Sequence, residues 1–85
     1  MPYVDKEVRV LLDEYLNPLI DRLSQQRSGA VNYTITRILL GYFTSATYFT
    51  FVVVLGTLAC IGLEYYRRVA APFEDAKREE HGDVY

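Results

Sequence analysis

The chain has 85 residues, a formal net charge of −2 and one cysteine. This length suffices for one small domain, and we predict a single helical domain over residues 1–85. A monomeric core of this size would be marginally stable, so we expect oligomerisation to bury further surface. Acidic and basic residues are interspersed along the N-terminal half, which excludes the basic stripe of a nucleic-acid-binding protein.

The N-terminal third has the spacing of an amphipathic helix. Apolar residues recur every three or four positions from Val8 to Leu23, with charged residues between them. Pro18 interrupts this helix without changing its phase. We therefore predict a kink, or a restart in which Asn17 caps the helix and Pro18 takes its first position. Residues 24–30 have the composition of a turn.

A second amphipathic helix is predicted to begin near Asn32, which suits an N-cap position. Its apolar residues extend from Tyr33 to Phe43. The short polar segment 44–47 then separates it from the following helix, and Ser45 is the predicted cap of that helix.

The third predicted helix is the most informative part of the chain. Residues 38–63 carry no formal charge, and 48–63 are apolar on every side. Such a helix must be covered by protein or by lipid. We predict that it runs from about Tyr48 to Val69 and ends near Ala71, because Pro72 disfavours helix in the residue before it.

Residues 71–85 are predicted to form a charged C-terminal tail. In this tail Glu74 precedes Arg78 by four residues, the spacing of a helical ion pair. Gly82 could close a last short helix.

These elements predict an all-α fold in which two shorter amphipathic helices pack on one long apolar helix. The long helices would associate in a homo-oligomer, since small residues allow close helix approach. The predicted interface residues are Phe51, Leu55, Gly56, Leu58, Ala59 and Cys60. A single membrane span of about 20 residues remains the alternative. Polar residues in 44–50 and the amphipathic N-terminal part favour the soluble assembly.

A cluster of aromatic and charged residues follows the apolar segment. Arginine donors match phosphate or carboxylate, and tyrosine offers a flat face and a hydroxyl. We therefore predict a site for a small aromatic anion, formed by Tyr65, Tyr66, Arg67 and Arg68. In the alternative, Glu64 pairs with Arg68, Arg67 reaches Glu74 or Asp75, and the tyrosines cap the core.

Enzymatic function is not expected. His81 lies in the charged tail and Cys60 in the apolar segment, so no acid, base and nucleophile can be assembled. The acidic residues of the tail alternate with basic ones, which is typical of a solvated face. We predict no catalytic residue, no cofactor and no metal site.

Three segments of the sequence carry a family resemblance: the opening MPY, NYTITRILLGYF, and CIGLEYYRRVAAPFEDAK followed by GDVY. The resemblance is to a small uncharacterised domain family of bacteriophage and metagenomic genomes. It covers nearly the whole chain and matches a family pattern CxxLExYRRVxAPYEDxK…GDVY. Relatives place polar or charged residues in the long helix where this chain has Val52, Val53, Ala59 and Gly62, so their helix would be amphipathic and soluble. In this chain either the oligomer interface is larger or the segment has moved toward a bilayer. The resemblance supports a soluble helical assembly. Relatives also have tyrosine in place of Phe73.

The resemblance implies a phage-type accessory protein in the host cytoplasm. Our leading hypothesis is a homo-oligomeric, non-enzymatic binding module that holds a small anionic, nucleotide-derived ligand between protomers and so sequesters a host immune signal. A single-span protein of the inner membrane is the first alternative. The second is an adaptor that binds and inhibits a host protein.

Overall fold

The computed structural model describes residues 3–85; Met1 and Pro2, which open the MPY motif, lie outside the described residues. The prediction of an all-α fold is confirmed, because the described chain contains helices and no strand. We label the helices α1 to α4 in chain order. Their bounds are α1 Lys6–Leu23, α2 Ser28–Tyr42, α3 Tyr48–Tyr65 and α4 Ala71–His81, with a π-helical segment Tyr66–Ala70 between the last two. Residues 3–45 and 46–85 form two compact units, which are described separately.

In the first unit, α1 continues through Pro18 without a break. The predicted restart at Asn17 is therefore wrong. Proline removes one backbone hydrogen bond from a helix interior, but the apolar stripe is in phase on both sides, so the same helix face is kept. The C-terminal end is closed by Ser24, whose hydroxyl donates to the Asp21 carbonyl at 2.6 Å.

The second helix begins at Ser28, four residues before the predicted Asn32. Its first turn is closed by backbone alone, with the Ala30 amide donating to the Arg27 carbonyl at 2.9 Å. Asn32 lies inside the helix, where its side-chain oxygen accepts from the Thr36 hydroxyl at 3.5 Å. Residues 28–30 were predicted to belong to a turn because small polar residues are common both in turns and in the first turns of helices.

In the second unit, Thr47 caps α3, so the prediction of Ser45 as the cap is wrong. The Thr47 hydroxyl accepts a hydrogen bond from the Thr50 amide at 3.2 Å. Its backbone is extended, which is the conformation of an N-cap residue. The predicted start of the helix at Tyr48 is confirmed.

The helix does not end near Ala71 as predicted. α3, the π-helical segment and α4 form one uninterrupted helix, Tyr48–His81, of 34 residues. In a regular α-helix the Pro72 ring would clash with the Arg68 carbonyl. The π-helical turn widens the helix before that point, and the Ala71 amide donates to the carbonyl of Tyr66, five residues back.

Gly82 ends α4, as predicted. Its φ is 84°, in the left-handed region that favours glycine, and its amide donates to the Arg78 carbonyl at 2.8 Å.

Among the described residues none is buried, including every residue of α3. At about 100° per residue, the apolar side chains of α3 span an arc of about 280°. Thr50, Thr57 and Glu64 occupy the remaining sector. Within this arc we define two faces. The first face consists of Phe49, Val52, Gly56, Ala59 and Leu63, and the second of Phe51, Leu55, Leu58 and Gly62.

Candidate anion-binding site and assembly surface

Two arginines converge on one carboxylate where the apolar part of the long helix ends. The Arg67 Nη2 atom lies 3.0 and 3.2 Å from the two oxygens of Glu64, and the Arg68 Nε atom donates to Oε1 of the same group. The predicted Glu64–Arg68 pair is confirmed. The predicted contact of Arg67 with Glu74 or Asp75 is wrong, because Arg67 also binds Glu64.

The carboxylate is covered while the guanidinium groups are not. The Glu64 side chain is 17% exposed, against 61% for Arg67 and 64% for Arg68. The hydrogen bond from Arg68 is the main cause that lowers the pKa of Glu64 below its ordinary value. Desolvation opposes this shift, and the hydrogen bond from Arg67 and the charges of both arginines add to it. The three side chains therefore form a cluster with a net charge of +1 and outward-facing guanidinium groups.

A second contact links Tyr66 to α4. The Tyr66 hydroxyl donates to Oε2 of Glu74 at 3.3 Å, across eight residues. In a regular α-helix, eight residues are about 2.2 turns and their side chains are about 80° apart. One π turn of about 4.4 residues followed by one α turn of 3.6 makes eight residues two full turns. The π-helical segment therefore places Glu74 directly beneath Tyr66.

Sequence reasoning missed this contact. Pro72 was the available signal, because a proline inside a continuing helix requires a local change of hydrogen-bond register. The contact also explains why the predicted Glu74–Arg78 pair is not formed. Arg78 instead lies 3.8 Å from Asp75 and 3.8 Å from Asp83.

The four predicted ligand-binding residues do not share one side of the helix. Arg67 and Arg68 meet at Glu64, and Tyr66 points to Glu74, whereas Tyr65 is 64% exposed and precedes the π turn. Consecutive helical residues point in different directions. One chain therefore offers a ligand the two arginines, and contacts to all four residues would need a ligand that wraps around the helix.

The predicted interface residues also divide between two directions. Phe51, Leu55 and Leu58 lie on the second face of α3, while Gly56 and Ala59 lie on the first, with Cys60 beside them. Cys60 is exposed. A Cβ atom added at Gly56 would meet no atom within 4 Å. The chain itself thus leaves the space at Gly56 open to a neighbouring molecule.

Residues 1–84 match the sequence model of a family described as a domain of unknown function, DUF6899. The chain belongs to this family. No curated protein and no solved structure matches it. The match covers nearly the full length, so both helical units belong to one DUF6899 domain, and the prediction of a small uncharacterised family is confirmed.

Two further observations bear on how this DUF6899 chain works. The helix Tyr48–His81 is long and apolar enough to cross a membrane, judged by length and composition, and its apolar window has no buried residue. Core helices of soluble proteins can have the same length and composition. Within residues 3–85, no group of three histidine, cysteine, aspartate or glutamate residues is placed to hold a metal ion.

Proposed function

We propose that the protein is a non-enzymatic, self-assembling helical module that binds a small anionic ligand through Arg67 and Arg68. The observation that carries this proposal is the sharing of Glu64 by two exposed guanidinium groups. One carboxylate neutralises one of the two positive charges. The other charge remains available to an anion at the surface.

The donor geometry favours a phosphate-like group. Each guanidinium has five N–H donors, and the contacts with Glu64 engage Nη2 of Arg67 and Nε of Arg68. The two terminal nitrogens of Arg68 are not engaged by Glu64 and form a planar pair. Such a pair can bind two oxygens of a phosphate or carboxylate at once.

The phage-type resemblance of the C-terminal pattern supports a particular class of ligand. A phage accessory protein that binds without catalysis is suited to sequestering a nucleotide-derived immune signal in the host cytoplasm. Tyr65 and Tyr66 lie on opposite sides of the arginine pair around the helix, and each would offer a flat face to a base. Because these side chains point in different directions on one chain, a ligand held between protomers could contact arginines of one copy and a tyrosine of another.

A thermal-shift titration tests this proposal. We expect a cyclic dinucleotide or ADP-ribose probe to raise the melting temperature with the logarithm of its concentration. The double substitution Arg67→Ala/Arg68→Ala should abolish the shift. Arg78→Ala is the matched control, since Arg78 is an equally exposed helical arginine outside the cluster.

The proposal fails if no nucleotide or pyrophosphate probe shifts the parent protein at millimolar concentration. It also fails if Arg78→Ala removes the shift as completely as the double substitution, because binding would then depend on overall charge alone. An adaptor that inhibits a host protein would become the better hypothesis in either case.

A single-span membrane protein is the second candidate, favoured by the length and composition of Tyr48–His81. In this candidate the arginine cluster would lie at the membrane–water interface, where arginine side chains are tolerated. Extraction of cell membranes with alkaline carbonate distinguishes a membrane-spanning protein from a soluble assembly. A spanning protein stays with the lipid, whereas a soluble assembly is released.

A further inference from the structure

The apolar arc of α3 is too wide for the remaining helices of the chain to cover. A helix packs through a face of about 100°, so an arc of about 280° needs about three neighbours along its length. Apart from α4, which continues the same helix, residues 3–85 contain two other helices, α1 and α2. Even if both packed on α3, about a third of the arc would still require a partner from outside these residues.

The first face has the shape that suits another helix. Its residues recur at alternating spacings of three and four, the pattern of helices that cross at a small angle. Gly56 and Ala59 lie at its centre, and Phe49, Val52 and Leu63 flank them. Small central residues allow close approach of the backbones, and large flanking residues fill the space on either side.

The first face offers a contact of modest area. α3 has 18 residues and is therefore about 27 Å long. A face of about 100° on such a helix, about 12 Å wide, has roughly 280 Å² of surface in each copy. Two copies would bury about 570 Å² through α3, which is the area of a weak, reversible interface.

The charge distribution selects the direction of the partner. At its C-terminal end the first face meets the Glu64–Arg67–Arg68 cluster. At its N-terminal end it meets the uncharged residues Thr47 and Tyr48. Parallel copies would place two clusters of net positive charge side by side. Antiparallel copies centred between Gly56 and Ala59 would separate the two Arg67 residues by about 28 Å along the axis, well beyond the screening length of about 8 Å.

We propose that a second copy of this chain, running antiparallel, covers the first face of α3. In this arrangement Gly56 faces Ala59 of the partner, and Val52 faces Leu63 of the partner. Arg67 lies beside Tyr48 and Phe49 of the partner, so that an aromatic ring of one copy borders the arginine cluster of the other. The inference rests on the self-assembly in the proposed function and is independent of its anion site.

Disulfide trapping in detergent-free buffer tests the direction. The native cysteine is first removed by Cys60→Ser, and Val52→Cys or Leu63→Cys is then introduced in separate proteins. In the antiparallel pair, equivalent residues at position 52 lie about 16 Å apart along the axis, whereas positions 52 and 63 of the two copies are adjacent. Neither single variant should cross-link with itself, and their mixture should form a mixed disulfide-linked dimer.

Self-cross-linking of each variant alone would overturn the proposal in favour of a parallel pair. Absence of any cross-link, in variants that sediment as oligomers, would show that the first face is not the interface. Recovery of the parent protein only in detergent would assign the face to lipid. Because no anion is added, failure here leaves the result of the ligand titration unaffected.

Discussion

At the residue scale, the Glu64 carboxylate holds the candidate site together. It accepts from both arginines and is far less exposed than either of them. Its negative charge also opposes any anion that approaches the same guanidinium groups. One substitution can therefore separate its role in stability from its effect on ligand binding.

We predict that Glu64→Gln increases the affinity for an anionic probe several-fold at neutral pH. The substitution keeps the size of the side chain and removes a like charge within about 4 Å of the bound anion. Fluorescence anisotropy with a labelled nucleotide measures the change. A loss of affinity would instead mean that the carboxylate is needed to orient the two arginines.

The same substitution should lower thermal stability in a pH-dependent way. Because its hydrogen bonds with Arg68 and Arg67 depress the pKa of Glu64, the cluster stabilises the folded chain above the ordinary carboxyl pKa of 4.5. That contribution is lost as the pH falls through the lower folded-state value. Melting temperatures of parent and Glu64→Gln should thus differ at pH 7 and converge as the pH falls below 4.5 through the lowered pKa of Glu64, which circular dichroism can follow.

At the scale of elements, the first face of α3 depends on the absence of a side chain at Gly56. We predict that Gly56→Leu overpacks this face and weakens assembly by about 1–3 kcal/mol, or roughly 5- to 150-fold in the dissociation constant. The substituted chain itself has room for the new side chain. It also gains helix propensity. Sedimentation equilibrium should therefore show weaker association, and circular dichroism should show no loss of helix.

Gly62→Leu is the matched control. Gly62 lies in the same helix, has the same open surroundings and faces the other direction. If Gly62→Leu impairs association and Gly56→Leu does not, the second face forms the interface.

Much of the helical order could be predicted from the sequence, and the failures have local physical causes. The start of α3 at Tyr48 followed from the onset of the apolar run, and its cap was misplaced by two residues because several hydroxyl residues compete between 44 and 47. The continuation of the helix past Pro72 could not be predicted from proline's usual effect. It depends on a π-helical turn, whose residues have no distinctive composition.

The candidate site was predictable in composition and less so in geometry. The spacing of Glu64 and Arg68 directly indicated a helical pair. The partner of Arg67 depended on the backbone between 66 and 70, because the π turn changes which side chains align. The same change places the Glu74 carboxylate within hydrogen-bond distance of the Tyr66 hydroxyl.

At the scale of the whole molecule, the described residues include many exposed large apolar side chains and none that is buried. A chain without buried side chains lacks the main stabilising contribution to folding. In the proposed assembly, association supplies this contribution. Unfolding and dissociation should be a single coupled process.

We predict that the purified protein remains soluble without detergent and has the mass of a dimer or larger at micromolar concentration. Its melting temperature should rise with protein concentration, because association favours the folded state. Analytical ultracentrifugation and a dilution series of thermal melts test both points. A folded 9.8 kDa monomer with a melting temperature independent of concentration would contradict the prediction.

The π-helical turn also sets the phase of any repeat that crosses it. The π turn contains about one residue more than an α turn, as a skip residue does in a coiled coil. A seven-residue repeat that follows one side of α3 therefore follows the same side of α4 only if the count is advanced by one position. Counted with that advance, the first face continues into Ala71, Glu74 and Arg78. The apolar face therefore becomes a charged one at the π turn, and in the proposed assembly the apolar contact with the partner helix ends there.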